Sequence, residues 1–396
     1  MPWDICMLDN IRVVEEDYIN LNPIQRAGVL TSAARKALIS YGDGYSTCDL
    51  CLKPFRLDKI SKPPIGEFYQ ELAEWLNMDV VRVMPGARRG FQAVVLAFLK
   101  PGDVAVGSVL SHYTVFLAVE EVGASLAEVN VDENYVIKPE FLASKIEEIR
   151  RLKGRDQPKL IILSHVDYLF GNVHPIRELV KVAKEYDVPF LYNGAYTVGV
   201  MPVDGKSIGA DFIVGSGHKS MASPAPTGIL ATSSEWASKI FSTSSIKGDV
   251  SSRSFGIKET HLLGCTVMGA PLLAMMASFP YVKERVKNWD EEVRKAQFFV
   301  NEFEKIEGNK VLGQRPRLHT LMKLDTSESF DKIAQAHKKK GYFLYHELEN
   351  RKITGIFPGA TRNFKINVYG LTWDQIRYVA GAFKDIAVKY NLRVSE

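Results

Sequence analysis

Asp211-Phe212-Ile213-Val214-Gly215-Ser216-Gly217-His218-Lys219-Ser220 is the stretch whose reading decides the fold. Its apolar front is too short for a stable helix and has the length of a buried strand. Gly215 and Gly217 let the chain turn sharply where that strand ends. Lys219 is thereby expected at the mouth of a sheet, beside a hydroxyl and an imidazole.

Outward from this stretch, the chain alternates strands with helices. The spacing predicts strands over residues 80–84, 103–110, 125–131, 159–165, 188–192, 211–214 and 228–232, with helices between them over 91–99 and 176–186. Such alternation means a mostly parallel sheet covered on both faces. Ligands of such sheets bind outside the carboxyl ends of the strands, and the polar clusters of this chain follow the apolar runs at those ends. Residues 1–66 read as an N-terminal arm, 67–282 as a large domain and 283–396 as a smaller α+β domain. A long charged helical pattern over 283–303 bridges the last two, and residues 242–254 read as a mobile serine-rich loop. The final helix opens on Thr372-Trp373-Asp374-Gln375, a capping-box pattern.

At 396 residues the chain suits two domains. It has 50 Lys plus Arg against 46 Asp plus Glu, a net charge of +4. This mildly basic balance is compatible with an RNA substrate without requiring one. The basic runs at 150–155 and 338–340 read first as solvated faces. No apolar run reaches the ~20 residues that span a bilayer, and the N-terminus has no signal-peptide pattern. Four cysteines, Cys6, Cys48, Cys51 and Cys265, are too few for a disulfide scaffold. A cytoplasmic protein with one special C-x-x-C is the better reading.

Five groups at strand ends carry distinct chemistry. Gly86-Ala87-Arg88 opens a helix, whose free N–H groups and dipole suit a phosphate. His112 is placed to stack on a flat ring. Asn193 ends a strand whose tip, in many enzymes that use pyridoxal phosphate (PLP), carries an acid facing the pyridine nitrogen. Ser216, Gly217 and His218 form the turn before Lys219, with Ser216 and His218 as donors to phosphate oxygens. Lys219 supplies an amine for a Schiff base, the chemistry for which PLP is the common partner.

In this order the motifs resemble the fold-type I, aspartate-aminotransferase-like PLP enzymes, an α/β fold. The resemblance is closer to the O-phosphoseryl-tRNA:cysteinyl-tRNA synthases, on Asn20-Leu21-Asn22-Pro23-Ile24-Gln25, on residues 43–51 (Asp-Gly-Tyr-Ser-Thr-Cys-Asp-Leu-Cys), on Asn193-Gly194-Ala195-Tyr196 and on Leu263-Gly264-Cys265-Thr266. Ala27-Gly28 departs from the two glycines expected there. The resemblance implies PLP-dependent replacement of the phosphate of phosphoseryl-tRNA(Cys) by sulfur, a homodimer, a sulfur donor, and an O-phosphoseryl-tRNA synthetase acting upstream.

The residue chemistry is consistent with this. Lys219 is poised as the base for the α-proton. Arg88, Arg89 and Arg362 are candidates for holding a phosphate through the guanidinium fork. Cys48, Cys51 and Cys265 suit persulfide sulfur, and would also fit an iron–sulfur cluster with one open position. Two other readings compete. One is a cysteine desulfurase or lyase acting on a free amino acid, although the cysteine pair lies in the N-terminal arm rather than in a loop of the small domain. The other is a non-catalytic tRNA-binding or sulfur-carrier protein, against which the intact Lys219 argues.

Overall fold

The structure is a computed structural model that describes residues 17–42, 62–261 and 269–396. All four cysteines lie outside the described residues. The chain forms two compact units. The larger comprises Ala27–Tyr168 and Val173–Trp289; the other comprises the described part of Met1–Arg26, Leu169–Asn172 and Asp290–Glu396. No described helix is long and apolar enough to cross a membrane.

The larger unit is built on seven strands: β2 (Val80–Met84), β3 (Val104–Ser108), β4 (Ser125–Val129), β5 (Leu160–Ser164), β6 (Phe190–Gly194), β7 (Phe212–Ser216) and β8 (Gly228–Thr232). They lie in the order β2-β8-β7-β6-β5-β3-β4. Only β8 is antiparallel to its neighbours, β2 and β7. The two faces can be read along β7. Ile213 joins one apolar core with Val106, Leu163, Phe190 and Ile229. Phe212 and Val214 point the other way, into a second core with Phe91, Val94, Ile162 and Leu191. Helices Ile65–Trp75, Pro139–Lys153, Ile176–Glu185 and Gly269–Arg285 cover the first face, and Ala87–Phe98 and Tyr113–Glu120 cover the second. Each buried aliphatic or aromatic side chain contributes roughly 1.5–3 kcal/mol, so a strand buried on both faces is held far more firmly than its five residues suggest. Helix Ala87–Phe98 packs so close to β7 that a Cβ on Gly90 would lie 2.9 Å from Val214 Cγ2.

The second unit has a three-stranded antiparallel sheet, β9 (Lys310–Leu312), β10 (Leu321–Asp325) and β12 (Asn363–Asn367), with β10 central. A short parallel pair joins β1 (Ile19–Asn20) to β11 (Ile353–Thr354). Its core is aromatic. Phe299 and Phe303 stack at 5.5 Å, and Phe383 meets Phe303 edge-on at 5.3 Å. The capping box at Thr372 forms as its pattern predicts: Gln375 N–H donates to Thr372 Oγ1 (3.2 Å), and Thr372 N–H donates to Gln375 Oε1 (3.0 Å).

Two sequence expectations shift. Pro189 has no N–H to give a ladder, so β6 begins at Phe190 and reaches Gly194, which places Asn193 inside the strand's end. The charged pattern over 283–303 is not one helix. Helix Gly269–Arg285 stops, a 3-10 turn follows at Val286–Asn288, and a new helix starts at Trp289. Asp290, Glu291 and Glu292 fill that helix's first turn, where the dipole favours acids. What read as one long charged helix therefore contains a helix end and a new helix start.

Candidate active site around Lys219

β7 ends at Ser216, and the chain turns through one short helix, Gly217–Ser220. Gly217 N–H donates to Thr227 O (2.8 Å), and a Cβ on Gly217 would come within 2.4 Å of Thr227 Oγ1. Gly217 therefore shapes the turn, and its N–H is already used. Ser220 Oγ donates back to Ser216 O at 2.8 Å. Lys219 Nζ lies 4.8 Å from the centroid of the Tyr196 ring. Tyr196 is buried, and burial pushes its phenol up, with Asp167 and Tyr168 adding to the shift.

Backbone packs on backbone around this turn. A Cβ on Gly28 would lie 1.9 Å from His218 O, and one on Gly199 would lie 2.3 Å from Ser220 O. Gly199 also has φ +87°, a conformation that favours glycine. Arg285 ties the same segments together. It donates to Gly199 O (2.9 Å), Ala27 O (2.9 Å) and Ser220 O (2.6 Å). The sequence reading placed Arg285 within the charged helical pattern and gave it no role. An arginine three residues beyond the last buried apolar position of the helix carries no signal for three distant carbonyls.

The other predicted residues of this unit take their places at the carboxyl edge of the sheet. Ser216 is buried, and its Oγ has no hydrogen-bond partner among the described residues. Asn193 is buried at the adjacent strand end, where its Nδ2 donates to Ser164 Oγ (2.9 Å) and its Oδ1 accepts from Ala195 N–H (3.2 Å). Helix Ala87–Phe98 begins after Gly86, which has φ +92°. The strand partner of Met84, Gly228, approaches so closely that its Cβ would sit 2.6 Å from Ala87 N. His112 caps helix Tyr113–Glu120 by accepting from Thr114 N–H, and its ring is held 4.3 Å from Tyr113 and edge-on to Tyr168 at 4.8 Å.

Two predicted donors differ from expectation. The Arg88 guanidinium donates to Glu121 Oε1 (2.7 Å), so what this residue offers at the helix start is its backbone. Gln92 also donates to that carboxylate, and together they hold Glu121 below the usual carboxylate range. His218 Nδ1 donates to Thr227 O (3.1 Å), which leaves Nε2 of the neutral ring as an acceptor. Burial pushes His218 down, with Lys219 adding to the effect. Of the two side chains expected to donate to a phosphate, Ser216 keeps that capacity. Arg89 is half-exposed in the first turn of its helix. Arg362 lies in the other unit, exposed at the start of β12. Cys48, Cys51 and Cys265 lie outside the described residues, among which no group of three His, Cys, Asp or Glu could hold a metal ion.

Two neutral histidines lie behind Asn193. His165 N–H donates to Asn193 O (3.2 Å), and His165 Nδ1 pairs with Tyr192 Oη (2.7 Å), which in turn pairs with Thr197 Oγ1 (2.8 Å). His174 N–H donates to His165 O, and Ile137 N–H donates to His174 Nδ1, so its ring proton sits on Nε2. Burial pushes His174 down to about 3, with His165 adding to the shift. Both imidazoles are therefore neutral at neutral pH, and the buried Asp167 carboxylate lies 3.8 Å from His174 Nε2.

A family model described as O-phosphoseryl-tRNA(Sec) selenium transferase, SepSecS, matches residues 101–385. O-phospho-L-seryl-tRNA:Cys-tRNA synthase 1 of Methanococcoides burtonii is 59% identical over 97% of this chain and 83% of its own length. The chain belongs to the O-phospho-L-seryl-tRNA:Cys-tRNA synthase family. A second relative with this family name, synthase 2 of Methanospirillum hungatei, is 57% identical over 96% of the chain and 84% of its own. The structure of a SepCysS–SepCysE N-terminal domain complex superposes with a TM-score of 0.86 at 44% identity, covering 98% of this chain and 99% of that one. A cysteine desulfurase of Thermococcus onnurineus shares the fold, with a TM-score of 0.74 at 16% identity over 94% and 96% of the two chains. The fold of this synthase-family chain is thus that of the fold-type I PLP enzymes.

Arg285→Met keeps the aliphatic stem and removes all three carbonyl contacts. Hydrogen bonds to charged groups contribute about 1.5–3 kcal/mol each. Denaturant unfolding should therefore show a loss of roughly 3 kcal/mol or more, with Arg285→Lys intermediate. A wild-type midpoint for Arg285→Met would contradict the clamp.

Proposed function

We propose that this protein converts phosphoseryl-tRNA(Cys) to cysteinyl-tRNA(Cys), replacing phosphate by sulfur with PLP as cofactor. The observation that carries the reading is Lys219, set in the turn that follows β7 at the carboxyl edge of the sheet, with its Nζ over the Tyr196 ring. The 59% identity to a protein named for that conversion favours it over a desulfurase or a non-catalytic binding protein.

The residues present fit PLP. Ser216 Oγ is a buried polar atom in want of a partner, and a phosphate oxygen would satisfy it. The start of helix Ala87–Phe98 offers the N–H groups of Ala87 and Arg88. His112 presents a ring fixed by Tyr113 and Tyr168. PLP, when bound, supplies the carbonyl that takes up amines and the electron sink for the substrate's α-carbon.

The chain's own residues do the rest. Lys219 Nζ tethers the cofactor between turnovers and, once free, takes the α-proton. Arg89 and Arg362 are our candidates for the phosphate of the phosphoseryl group. The bond from Cβ to phosphate oxygen breaks, the phosphate leaves with its electron pair, and a sulfur nucleophile bonds to Cβ. Cys48, Cys51 and Cys265 are proposed to bring that sulfur as a persulfide. Its outer sulfur bonds to Cβ, and a second thiol then releases the product by forming a disulfide with the carrier cysteine. An iron–sulfur cluster on the same three cysteines is the alternative use. The same reading makes the protein a cytoplasmic homodimer that receives its RNA from an O-phosphoseryl-tRNA synthetase.

Incubation with phosphoseryl-tRNA(Cys) and sulfide should yield cysteinyl-tRNA. Lys219→Ala should abolish the product, and Cys48→Ser, Cys51→Ser and Cys265→Ser should each impair transfer from a persulfide donor while Cys6→Ser does not. Normal turnover by Lys219→Ala would sink the reading, and equal behaviour of all four serine variants would sink the cysteine assignment.

Asn193 is uncharged, and its amide bonds Ser164 Oγ and Ala195 N–H, so it sets no carboxylate against a ring nitrogen. Elimination of a good leaving group such as phosphate needs little carbanion lifetime, whereas transamination needs much more. Asn193→Asp should therefore raise the amount of pyridoxamine phosphate formed per turnover several-fold. An unchanged partition between replacement and transamination would refute this role.

A further inference from the structure

In the smaller unit, two turns that are far apart in sequence meet through glycine. Residues 338–341 (Lys-Lys-Lys-Gly) turn between helices Phe330–Ala336 and Tyr342–Glu349. Lys340 N–H donates to His337 O (2.8 Å), Tyr342 N–H donates to Lys339 O (3.1 Å), and Lys340 has φ +46°. Residues 357–360 (Phe-Pro-Gly-Ala) form the other turn, closed by Ala360 N–H to Phe357 O at 3.1 Å. A Cβ on Gly341 would lie 2.3 Å from Gly359 O, and one on Gly359 would lie 3.7 Å from the Tyr342 ring. The backbones are in contact, so the side chains of both turns share one surface.

That surface is basic and aromatic at once. Lys338, Lys339 and Lys340 are exposed, and none is paired with a carboxylate among the described residues. No Asp or Glu occurs from 336 to 346 or from 355 to 365. Asp331, close to Thr361, accepts that residue's hydroxyl. Phe357 is 78% exposed and Tyr342 53%, while their sequence neighbours Ile356 and Phe343 are buried and anchor both turns. A solvated charge run does not need two bare rings beside it. The other basic run lacks this arrangement: Arg150 lies on the Tyr186 ring and donates to Tyr186 O.

Cations with exposed rings on a rigid support match unpaired RNA, whose bases stack on aromatic faces while lysines neutralise its phosphates. We propose that Lys338, Lys339, Lys340, Tyr342 and Phe357 form an RNA-docking surface for an unpaired stretch of the tRNA substrate. This rests on the reading that the substrate is a tRNA. The basic turn follows the phosphates, and Phe357 takes a base.

The test uses the full chain and an unacylated tRNA(Cys) transcript, with binding measured across a salt series and cysteinyl-tRNA formation measured at saturating RNA. Phe357→Ala should weaken binding at least about fivefold, as loss of one stacked base does, without changing the salt slope. Replacing Lys338, Lys339 and Lys340 together by Gln should flatten the slope of log affinity against log salt by about 1 for each phosphate met. Both variants should retain wild-type unfolding and wild-type turnover at saturation. Wild-type affinity and slope in both would overturn the surface, as would an effect confined to oligomer mass or to binding of a partner protein. If the variants weaken tRNA binding but the wild type makes no cysteinyl-tRNA, the proposed reaction falls and the surface stands. If the wild type makes cysteinyl-tRNA and the variants bind normally, the surface alone falls. A wild type that binds no tRNA overturns both.

Discussion

Everything at the candidate site depends on backbone approaching backbone around one short turn. His218 O has no room for a Cβ on Gly28, and Ser220 O has none for a Cβ on Gly199. Arg285 then closes the gap with three donors to carbonyls of the segments that meet there. A lysine side chain has four rotatable bonds and a large rotamer entropy. Fixing its backbone on both sides and laying its ammonium over the Tyr196 ring removes most of that freedom before any ligand arrives. The sheet supplies the rigidity: β7 is buried on both faces, so the turn at its end inherits a fixed origin.

The asparagine and the imidazoles of this region carry no charge at neutral pH. Asn193 is neutral, and the histidines behind it are held neutral by burial. His218 spends its proton on a carbonyl. Ser216 is left with a hydroxyl in want of a partner. An anionic cofactor group would meet the Ser216 hydroxyl and a helix start there. The chemistry then falls to the lysine and to whatever sulfur the cysteines deliver.

Much of this was legible in the sequence, for physical reasons. The apolar run 212–214 is too short for a stable helix and has the length of a buried strand, and Gly215 and Gly217 announce a turn. The order of clusters followed from parallel strands having their carboxyl ends on one edge. The capping box at Thr372 is a local signal, and it formed locally. Long-range contacts were not legible. Nothing in the sequence around Arg285 points to Ala27, Gly199 or Ser220. The expected glycine pair at 27–28 is met by one glycine, and the structure gives the reason. Gly28 faces the carbonyl that leaves no room, whereas Ala27 contributes its own carbonyl to Ala222 N–H and Arg285. The helix boundary at 286–288 was hidden because acids suit both a solvated face and a helix N-terminus. Arg88 and His218 read as ligand donors because their partners, Glu121 and Thr227, lie 33 and 9 residues away.

The central claim is that the amine of Lys219, among the many lysines of this chain, is the one held for reaction with a carbonyl. Peptide mapping after borohydride reduction of the PLP-loaded protein tests it directly. The account predicts one pyridoxyl mass increment, confined to the peptide that contains Lys219. An increment spread over surface lysines, or concentrated on a different one, would contradict it.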